Sequence, residues 1–202
     1  MLKTLKSSIQ GDKCFMELKG KNILFLGSSV TYGAESGGIS FVEIMSEICG
    51  FTYIKEAVSG TTLADMSESS YVSRLKKIDI YAKIDLVVCQ LSTNDAYQNV
   101  PLCETEKAIV FIINYVRWIF GCPVVFFTGT KFQSTVYKET IELLYKIKQE
   151  YDFFILDLWN DKEMLNVDKE KYKRFMKDGV HPTFEGYRDW WAPKFIDFLR
   201  KI

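Results

Sequence analysis

The chain of 202 residues is poor in the side chains from which metal sites and disulfide scaffolds are built. It holds a single histidine and five cysteines, and no two of the cysteines form a C-x-x-C pair. A site made of several histidines is therefore excluded, and an odd, scattered set of thiols argues against a zinc site and a disulfide framework. Unpaired thiols suit a reducing compartment, so we expect a cytoplasmic protein. The cysteines are Cys14, Cys49, Cys89, Cys103 and Cys122.

Long apolar runs and an excess of charge of one sign are also missing. The longest runs, such as Ile23–Leu26 and Val124–Phe127, are too short to span a bilayer, and the 26 basic and 26 acidic residues cancel. We therefore expect neither a membrane nor a nucleic acid as partner. Residues 1–20 lack the apolar core of a secretory signal and form a lead segment of unknown role. The length fits one domain spanning residues 1–202, whose oligomeric state the sequence does not reveal.

What the chain does have is five short runs rich in Ile, Leu, Val and Phe, without clean alternation. Strands buried on both faces look like this. Longer segments with helical spacing separate them, which predicts an α/β fold with a five-stranded parallel sheet and helices on both faces. The predicted strands are Asn22–Leu26, Thr52–Val58, Asp85–Leu91, Pro123–Thr128 and Phe153–Leu158.

Apolar residues three and four apart predict helices around Phe41–Ile48, Ile109–Val116 and Ile141–Lys148. Leu63–Leu75 is less periodic but also predicts a helix. The segment from Thr183 to the C-terminus predicts a closing helix that starts at a capping threonine and bends at Pro193. The charged stretch 162–177 predicts a solvated helical excursion.

Small and polar residues follow the first three predicted strands. They are Gly27, Ser28 and Ser29, then Ser59 and Gly60, then Ser92, Thr93, Asn94 and Asp95. Ligands bind beyond the carboxyl ends of the strands in open parallel sheets. These residues therefore predict a site at that edge.

The lone histidine, His181, lies three residues after Asp178 in the sequence Asp-Gly-Val-His-Pro. An imidazole with a reference pKa of about 6.5 can accept a proton near neutral pH, and a carboxylate can orient it. If the fold brings this loop to Ser29, then Ser29, His181 and Asp178 form the nucleophile, the general base and the orienting carboxylate of a serine hydrolase. The expected oxyanion donors are the backbone N–H groups of Ser29 and Gly60 and the side-chain amide of Asn94. A glycine at position 60 would let the backbone approach a ligand closely.

Taken together, these segments resemble the SGNH hydrolase superfamily, the GDSL-like lipases and esterases, over nearly the whole chain. The resemblance implies a flavodoxin-like three-layer α/β/α sandwich, no cofactor, no metal, and a small-molecule or carbohydrate ester as substrate. It assigns Ser29, Asp178 and His181 to catalysis, and Ser29, Gly60 and Asn94 to the oxyanion hole. The matching segments are Leu26–Gly33, Gly60, Ser92–Asp95 and Asp178–His181, with Pro182, Gly186 and Tyr187 following as is common there.

Two positions depart from the family pattern. Ser28 stands where the family usually has Asp, and Ser92 stands where it usually has Gly. Neither change removes a catalytic group, but either could alter the geometry of its loop, and Ser92 could narrow the space beside Asn94. The G-x-S-x-G elbow of the α/β-hydrolases does not occur in the chain.

Two other hypotheses use the same fold. The hydroxyl-rich loop from Ser28 to Gly33 could cradle the phosphate of a flavin mononucleotide, as in a flavodoxin-like binding module. This interpretation leaves Asn94, Asp178 and His181 without a role. Alternatively, the departures at Ser28 and Ser92 would suit a catalytically inactive SGNH-like domain that binds glycans or a protein.

Overall fold

A computed structural model describes residues 18–202 and contains one five-stranded sheet in which every neighbouring pair of strands is parallel. The strand order is β2-β1-β3-β4-β5. Every predicted strand is present, with bounds close to those expected from the apolar runs. The strands are β1 (Asn22–Gly27), β2 (Thr52–Ala57), β3 (Leu86–Gln90), β4 (Val124–Phe127) and β5 (Phe154–Leu156).

Helices connect the strands and close the chain. The helices predicted from periodicity are present, and two short helices occupy the charged stretch 162–177. The helices are α1 (Ser29–Tyr32), α2 (Phe41–Cys49), α3 (Tyr71–Leu75), α4 (Thr93–Tyr97), α5 (Leu102–Ile119), α6 (Thr135–Lys148), α7 (Lys162–Leu165), α8 (Lys169–Phe175), α9 (Phe184–Gly186) and α10 (Ala192–Leu199).

The sheet has a hydrophobic core on each face. Ile23 and Phe25 of β1 lie in a cluster with α2 and the C-terminal helices. Leu24 and Leu26, which point to the other face, lie in a cluster with α3, α5 and α6. The protein is therefore the three-layer sandwich that the sequence predicted.

The predicted helix over Leu63–Leu75 is wrong in its first half. Only Tyr71–Leu75 is helical, and it begins where the Ser70 hydroxyl accepts the N–H of Ser73. Upstream, the backbone N–H groups of Leu63 and Ala64 are bound by the carboxylate of Asp95. This tertiary contact holds the segment as a loop, and the local pattern could not reveal it.

The bend predicted at Pro193 takes the form of a π-helical segment, Tyr187–Trp191, which runs directly into α10. A proline has no N–H to donate to the preceding turn, and helices kink or widen at such positions. The result is one continuous closing element between α9 and the C-terminus.

The cysteines correct one expectation. Cys89, Cys103 and Cys122 are free thiols, but Cys49 is disulfide-bonded, so the expectation of unpaired thiols throughout is wrong at that position. The spacing of the cysteines carries no signal of this bond. Cys14 lies outside the described residues. None of the helices within residues 18–202 combines the length and the hydrophobicity of a membrane span.

Candidate active site

Ser29 lies at the start of α1, directly beyond the carboxyl end of β1. The turn that presents it requires Gly27, because a Cβ there would lie 2.0 Å from the Thr31 hydroxyl. The turn is also held from the neighbouring strand. Gln90, the last residue of β3, accepts hydrogen bonds from the backbone N–H of Ser28 at 3.1 Å and from the hydroxyl of Thr31 at 2.8 Å.

His181 is presented by a loop that closes on itself. Lys177 N–H donates to the His181 carbonyl at 2.8 Å, and Thr183 N–H donates to the Phe175 carbonyl at 2.9 Å. The chain then turns into α9, where Gly186 passes so close to α8 that a Cβ would lie 2.0 Å from the Phe175 carbonyl oxygen. These contacts fix the histidine loop against the end of α8.

One contact joins the closing element to the serine helix. The buried hydroxyl of Tyr187 donates to the carbonyl of Val30 at 2.7 Å, across 157 positions of sequence. Val30 is the neighbour of Ser29, so this bond sets the C-terminal segment beside the turn that carries the serine.

The structure brings the predicted serine, histidine and aspartate into one hydrogen-bonded chain. Ser29 Oγ lies 2.8 Å from His181 Nε2, and His181 Nδ1 lies 2.8 Å from Asp178 Oδ2. A carboxylate only accepts hydrogen bonds, so the ring proton belongs on Nδ1 and leaves Nε2 to accept the serine proton. The arrangement has the nucleophile–base–orienter geometry of acyl-transfer sites.

Asp178 is held in its ionised form. Partial burial opposes ionisation, but hydrogen bonds from the His181 ring and from the backbone N–H groups of His181 and Val180 outweigh it and lower the pKa of Asp178 below its usual value. The two backbone bonds, both 2.7 Å, go to Oδ1, which leaves Oδ2 for the imidazole. The carboxylate is therefore both charged and fixed in direction.

The expected oxyanion donors follow three neighbouring strands, β1, β2 and β3, at the same edge of the sheet. The backbone N–H groups of Ser29 and Gly60 make no hydrogen bond to any residue that the structure describes. Asn94 uses one amide hydrogen to bind the Thr61 carbonyl at 2.9 Å, which leaves its second for a ligand. These N–H groups have the unused hydrogen-bonding capacity that an oxyanion site needs.

Gly60 combines a backbone conformation that favours glycine with open space beside it, so the expected close approach of a ligand stays a prediction. It adopts φ +79°, and a Cβ there would meet nothing within 4 Å. The glycine is therefore required for its backbone conformation, which side chains strain, while the space beside it is open.

Asp95 is a site residue whose structural role sequence reasoning missed. Its carboxylate is buried and accepts the N–H groups of Leu63 and Ala64 at 2.7 and 3.0 Å and the Thr105 hydroxyl at 3.2 Å. It thereby anchors the loop that follows Gly60 to α4, which carries Asn94. The only signal in the sequence is an aspartate directly after Asn94, and the sequence does not indicate which groups this carboxylate binds.

The two positions that depart from the family pattern are both buried. The Ser28 hydroxyl accepts a hydrogen bond from the Gln90 amide at 3.2 Å. The Ser92 hydroxyl accepts the N–H of Asp95 at 3.3 Å and so caps α4. Each serine hydroxyl therefore has a hydrogen-bond partner in the interior of the protein.

The serine and threonine hydroxyls of the Ser28–Gly33 loop are already engaged. Those of Ser28 and Thr31 bind Gln90 in the interior, and that of Ser29 binds His181. A phosphate cradle would need these groups free, so the geometry does not favour the flavin hypothesis.

Among residues 18–202 no cluster of three or more His, Cys, Asp and Glu side chains could hold a metal ion.

Comparison with known proteins finds one matching family model and several solved structures with a similar fold. A model of the GDSL-like lipase/acylhydrolase family matches residues 25–188. This range contains every residue of the site described above. No curated protein matches the chain.

Solved structures resemble the chain in fold at low identity. A member of the lipolytic protein G-D-S-L family from Veillonella parvula is 17% identical, with a TM-score of 0.71 over 91% of this chain and 100% of the other. A protein from Lactobacillus plantarum is also 17% identical, with a TM-score of 0.76 over 91% and 98%. Axe2, an acetylxylan esterase from Geobacillus stearothermophilus, is 16% identical, with a TM-score of 0.68 over 91% and 96%.

Proposed function

The chain belongs to the GDSL-like lipase/acylhydrolase family, and from that premise we propose that it is a serine esterase that cleaves a small or carbohydrate-linked acyl ester. The observation that carries the proposal is the continuous hydrogen-bonded chain from Ser29 through His181 to Asp178. Family membership supplies the class of reaction, and this geometry supplies the residues for it.

In the first half-reaction, Ser29 Oγ attacks the ester carbonyl while His181 Nε2 takes the serine proton. The imidazolium that forms is stabilised by the carboxylate of Asp178. The carbonyl oxygen becomes an oxyanion that accepts hydrogen bonds from the N–H groups of Ser29 and Gly60 and from the Asn94 amide. His181 then returns the proton to the alkoxide, and the alcohol leaves with an acyl group bound to Ser29.

In the second half-reaction, water replaces the alcohol. His181 Nε2 takes a proton from water as the oxygen attacks the acyl-enzyme, and the same donors hold the second oxyanion. The Ser29–carbonyl bond then breaks, the proton passes to Ser29 Oγ, and the free acid leaves. No other group is needed to balance the reaction.

The openness of the site supports the choice of substrate class. The His181 side chain is 27% exposed and that of Asp178 is 54% exposed, so the general base lies at the surface. A bulky sugar alcohol can reach a base in this position without entering a deep cavity. Axe2, which has the same fold, is an acetylxylan esterase.

The test is labelling with a fluorophosphonate probe followed by peptide mapping. We expect one covalent adduct, on Ser29, and none in Ser29→Ala. The matched control is Ser67→Ala, because Ser67 is an exposed serine and its loss should leave labelling unchanged. Hydrolysis of p-nitrophenyl acetate by Ser29→Ala should fall by several orders of magnitude. Unchanged labelling and hydrolysis in Ser29→Ala would rule the mechanism out.

A further inference from the structure

Arg74 on α3 is a buried arginine behind the proposed site. Only 6% of the residue is exposed, and its guanidinium lies 5.2 Å from the centre of the Tyr71 ring. Charged side chains are seldom this buried unless a partner neutralises them. The nearest oxygen of a carboxylate partner, Oε2 of Glu56, is 3.9 Å away, which is too long for a hydrogen bond.

The partners of Arg74 are instead backbone carbonyls and one hydroxyl at the edge of the sheet. Nη2 donates to the Gly27 carbonyl at 2.7 Å and to the Thr61 hydroxyl at 3.3 Å. Nη1 donates to the carbonyl of Glu56 in β2, and Nε donates to the Ser69 carbonyl at 2.9 Å. The planar fork of an arginine is suited to hold several acceptors in fixed directions.

The first of these contacts fixes the turn that presents Ser29. The peptide between Gly27 and Ser28 has its carbonyl bound by Arg74 and its N–H bound by Gln90. Because both ends of this peptide are held, its plane cannot rotate. Ser29, which carries both the Oγ and the N–H of the site, comes one residue later, so this peptide fixes the start of the turn that presents them.

The second contact fixes the loop that carries the other oxyanion donors. Thr61 is the residue after Gly60. Its hydroxyl accepts a hydrogen bond from Arg74 and donates one to the Val58 carbonyl. The backbone carbonyl of Thr61 accepts the hydrogen bond from the Asn94 amide. One side chain thus connects, through Gly27 on one side and Thr61 on the other, all three groups expected to bind the oxyanion.

We propose that Arg74 is a positioning residue for the oxyanion site: its guanidinium holds the Ser29 turn and the Gly60 loop in register, and its buried positive charge favours the negative charge that develops there. This rests on the proposed esterase function. The Glu56 carboxylate, 3.9 Å away and not hydrogen-bonded, offsets part of this charge, and the low-dielectric surroundings screen the remainder only weakly. Both effects stabilise the transition state more than the ground state, so replacing Arg74 should lower kcat.

The test compares Arg74→Lys, which keeps the charge but loses the fork, with Arg74→Met, which loses both. With p-nitrophenyl acetate we expect kcat to fall about 10-fold in Arg74→Lys and about 100-fold in Arg74→Met, with KM within about threefold of the wild type. The rate of fluorophosphonate labelling should fall in the same order. Thr61→Val keeps the buried charge but cuts one contact, and its kcat should fall by a smaller factor, about 3- to 10-fold.

The matched control is Arg200→Met. Arg200 is a partly buried arginine at the end of α10 that pairs with Asp197, and its loss should leave kcat unchanged. Circular dichroism and thermal unfolding show which variants are folded, and only those are compared. If Arg74→Met does not fold, Arg74→Lys and Thr61→Val decide the question.

The outcomes separate this proposal from the proposed function. If the wild type is labelled at Ser29 and the folded Arg74 and Thr61 variants keep kcat within about twofold, Arg74 has no positioning role. An equal loss in Arg200→Met would also overturn it. If the wild type is not labelled at all, it is the esterase function that fails.

Discussion

The side-chain amide of Asn94 donates a 2.9 Å hydrogen bond to the carbonyl of Thr61, and this bond ties α4 to the loop containing Gly60. It orients the amide and leaves its second hydrogen unused. Asn94→Ala should therefore remove an oxyanion donor and lower kcat/KM by a factor that corresponds to about 2.7–4 kcal/mol. Steady-state hydrolysis of p-nitrophenyl acetate measures the effect.

Gln98→Ala is the matched control for Asn94→Ala. Gln98 lies one helical turn further on, and its amide binds the Gly60 carbonyl at 2.9 Å, so it anchors the same loop without facing an oxyanion. We expect a far smaller loss of activity. Equal losses in the two variants would mean that Asn94 only anchors the loop.

Asp178→Asn should keep the loop but disable the base. The amide oxygen can still accept the N–H groups of Val180 and His181, whereas an NH₂ group would face His181 Nδ1 and favour the wrong tautomer. A loss of about 10⁴-fold in kcat is expected for such a change. An Asp178→Asn variant that retains most of the wild-type kcat would show that His181 needs no carboxylate.

Asp178 should also add stability that depends on pH. Its folded-state pKa is lowered from the ordinary value of 3.8 by its hydrogen bonds, which outweigh partial burial. Its contribution is therefore fully present above about pH 3.8 and is lost as the pH falls through the lower folded-state pKa. Urea unfolding of wild type and Asp178→Asn should show a constant difference from about pH 5 to 8 that shrinks at lower pH. A difference that grows on acidification would contradict this.

The buried carboxylate of Asp95 should matter chiefly for stability. Asp95→Ala leaves the N–H groups of Leu63 and Ala64 without an acceptor, at a cost of about 1–3 kcal/mol for each. Urea unfolding measures the loss. Thr105→Val removes only the 3.2 Å hydroxyl contact to the same carboxylate and should cost much less. Similar free energies of unfolding for Asp95→Ala and wild type would show that the loop does not depend on this carboxylate.

The sequence predicted the strands, and the segments that meet at one edge of the sheet, better than it predicted the contacts that support them. Apolar runs give β1, β3 and β4 because strands buried on both faces must be apolar. The same expectation is wrong for β2, an edge strand whose side chains are exposed or half-buried. The residues that follow parallel strands share one edge of the sheet. The supports are long-range polar contacts of buried side chains, such as Gln90 with Ser28 and Arg74 with Gly27. A glutamine at the end of a strand and an arginine in a short helix carry no local signal of these partners.

The helix predicted over Leu63–Leu75 failed for the same reason. Its apolar residues are buried except Met66, but the first of them, Leu63, lies in a loop bound by Asp95, more than thirty positions away. The spacing of apolar residues indicates which side chains are buried, but it predicts a helix only where the backbone hydrogen bonds form within the segment itself.

The departure from the family pattern at Ser92 should be neutral for catalysis. Its hydroxyl accepts the N–H of Asp95 and caps α4, which begins one residue before Asn94. Glycine, the usual residue of the family at this position, is itself an acceptable N-cap, whereas alanine is a poor one. We therefore expect Ser92→Gly to cost a few tenths of a kcal/mol and Ser92→Ala about 1 kcal/mol in the free energy of unfolding. Both variants should keep kcat near that of the wild type, because the Asn94 amide remains bound to Thr61. A large loss of kcat in Ser92→Gly, without a loss of stability, would show that the serine itself shapes the oxyanion site.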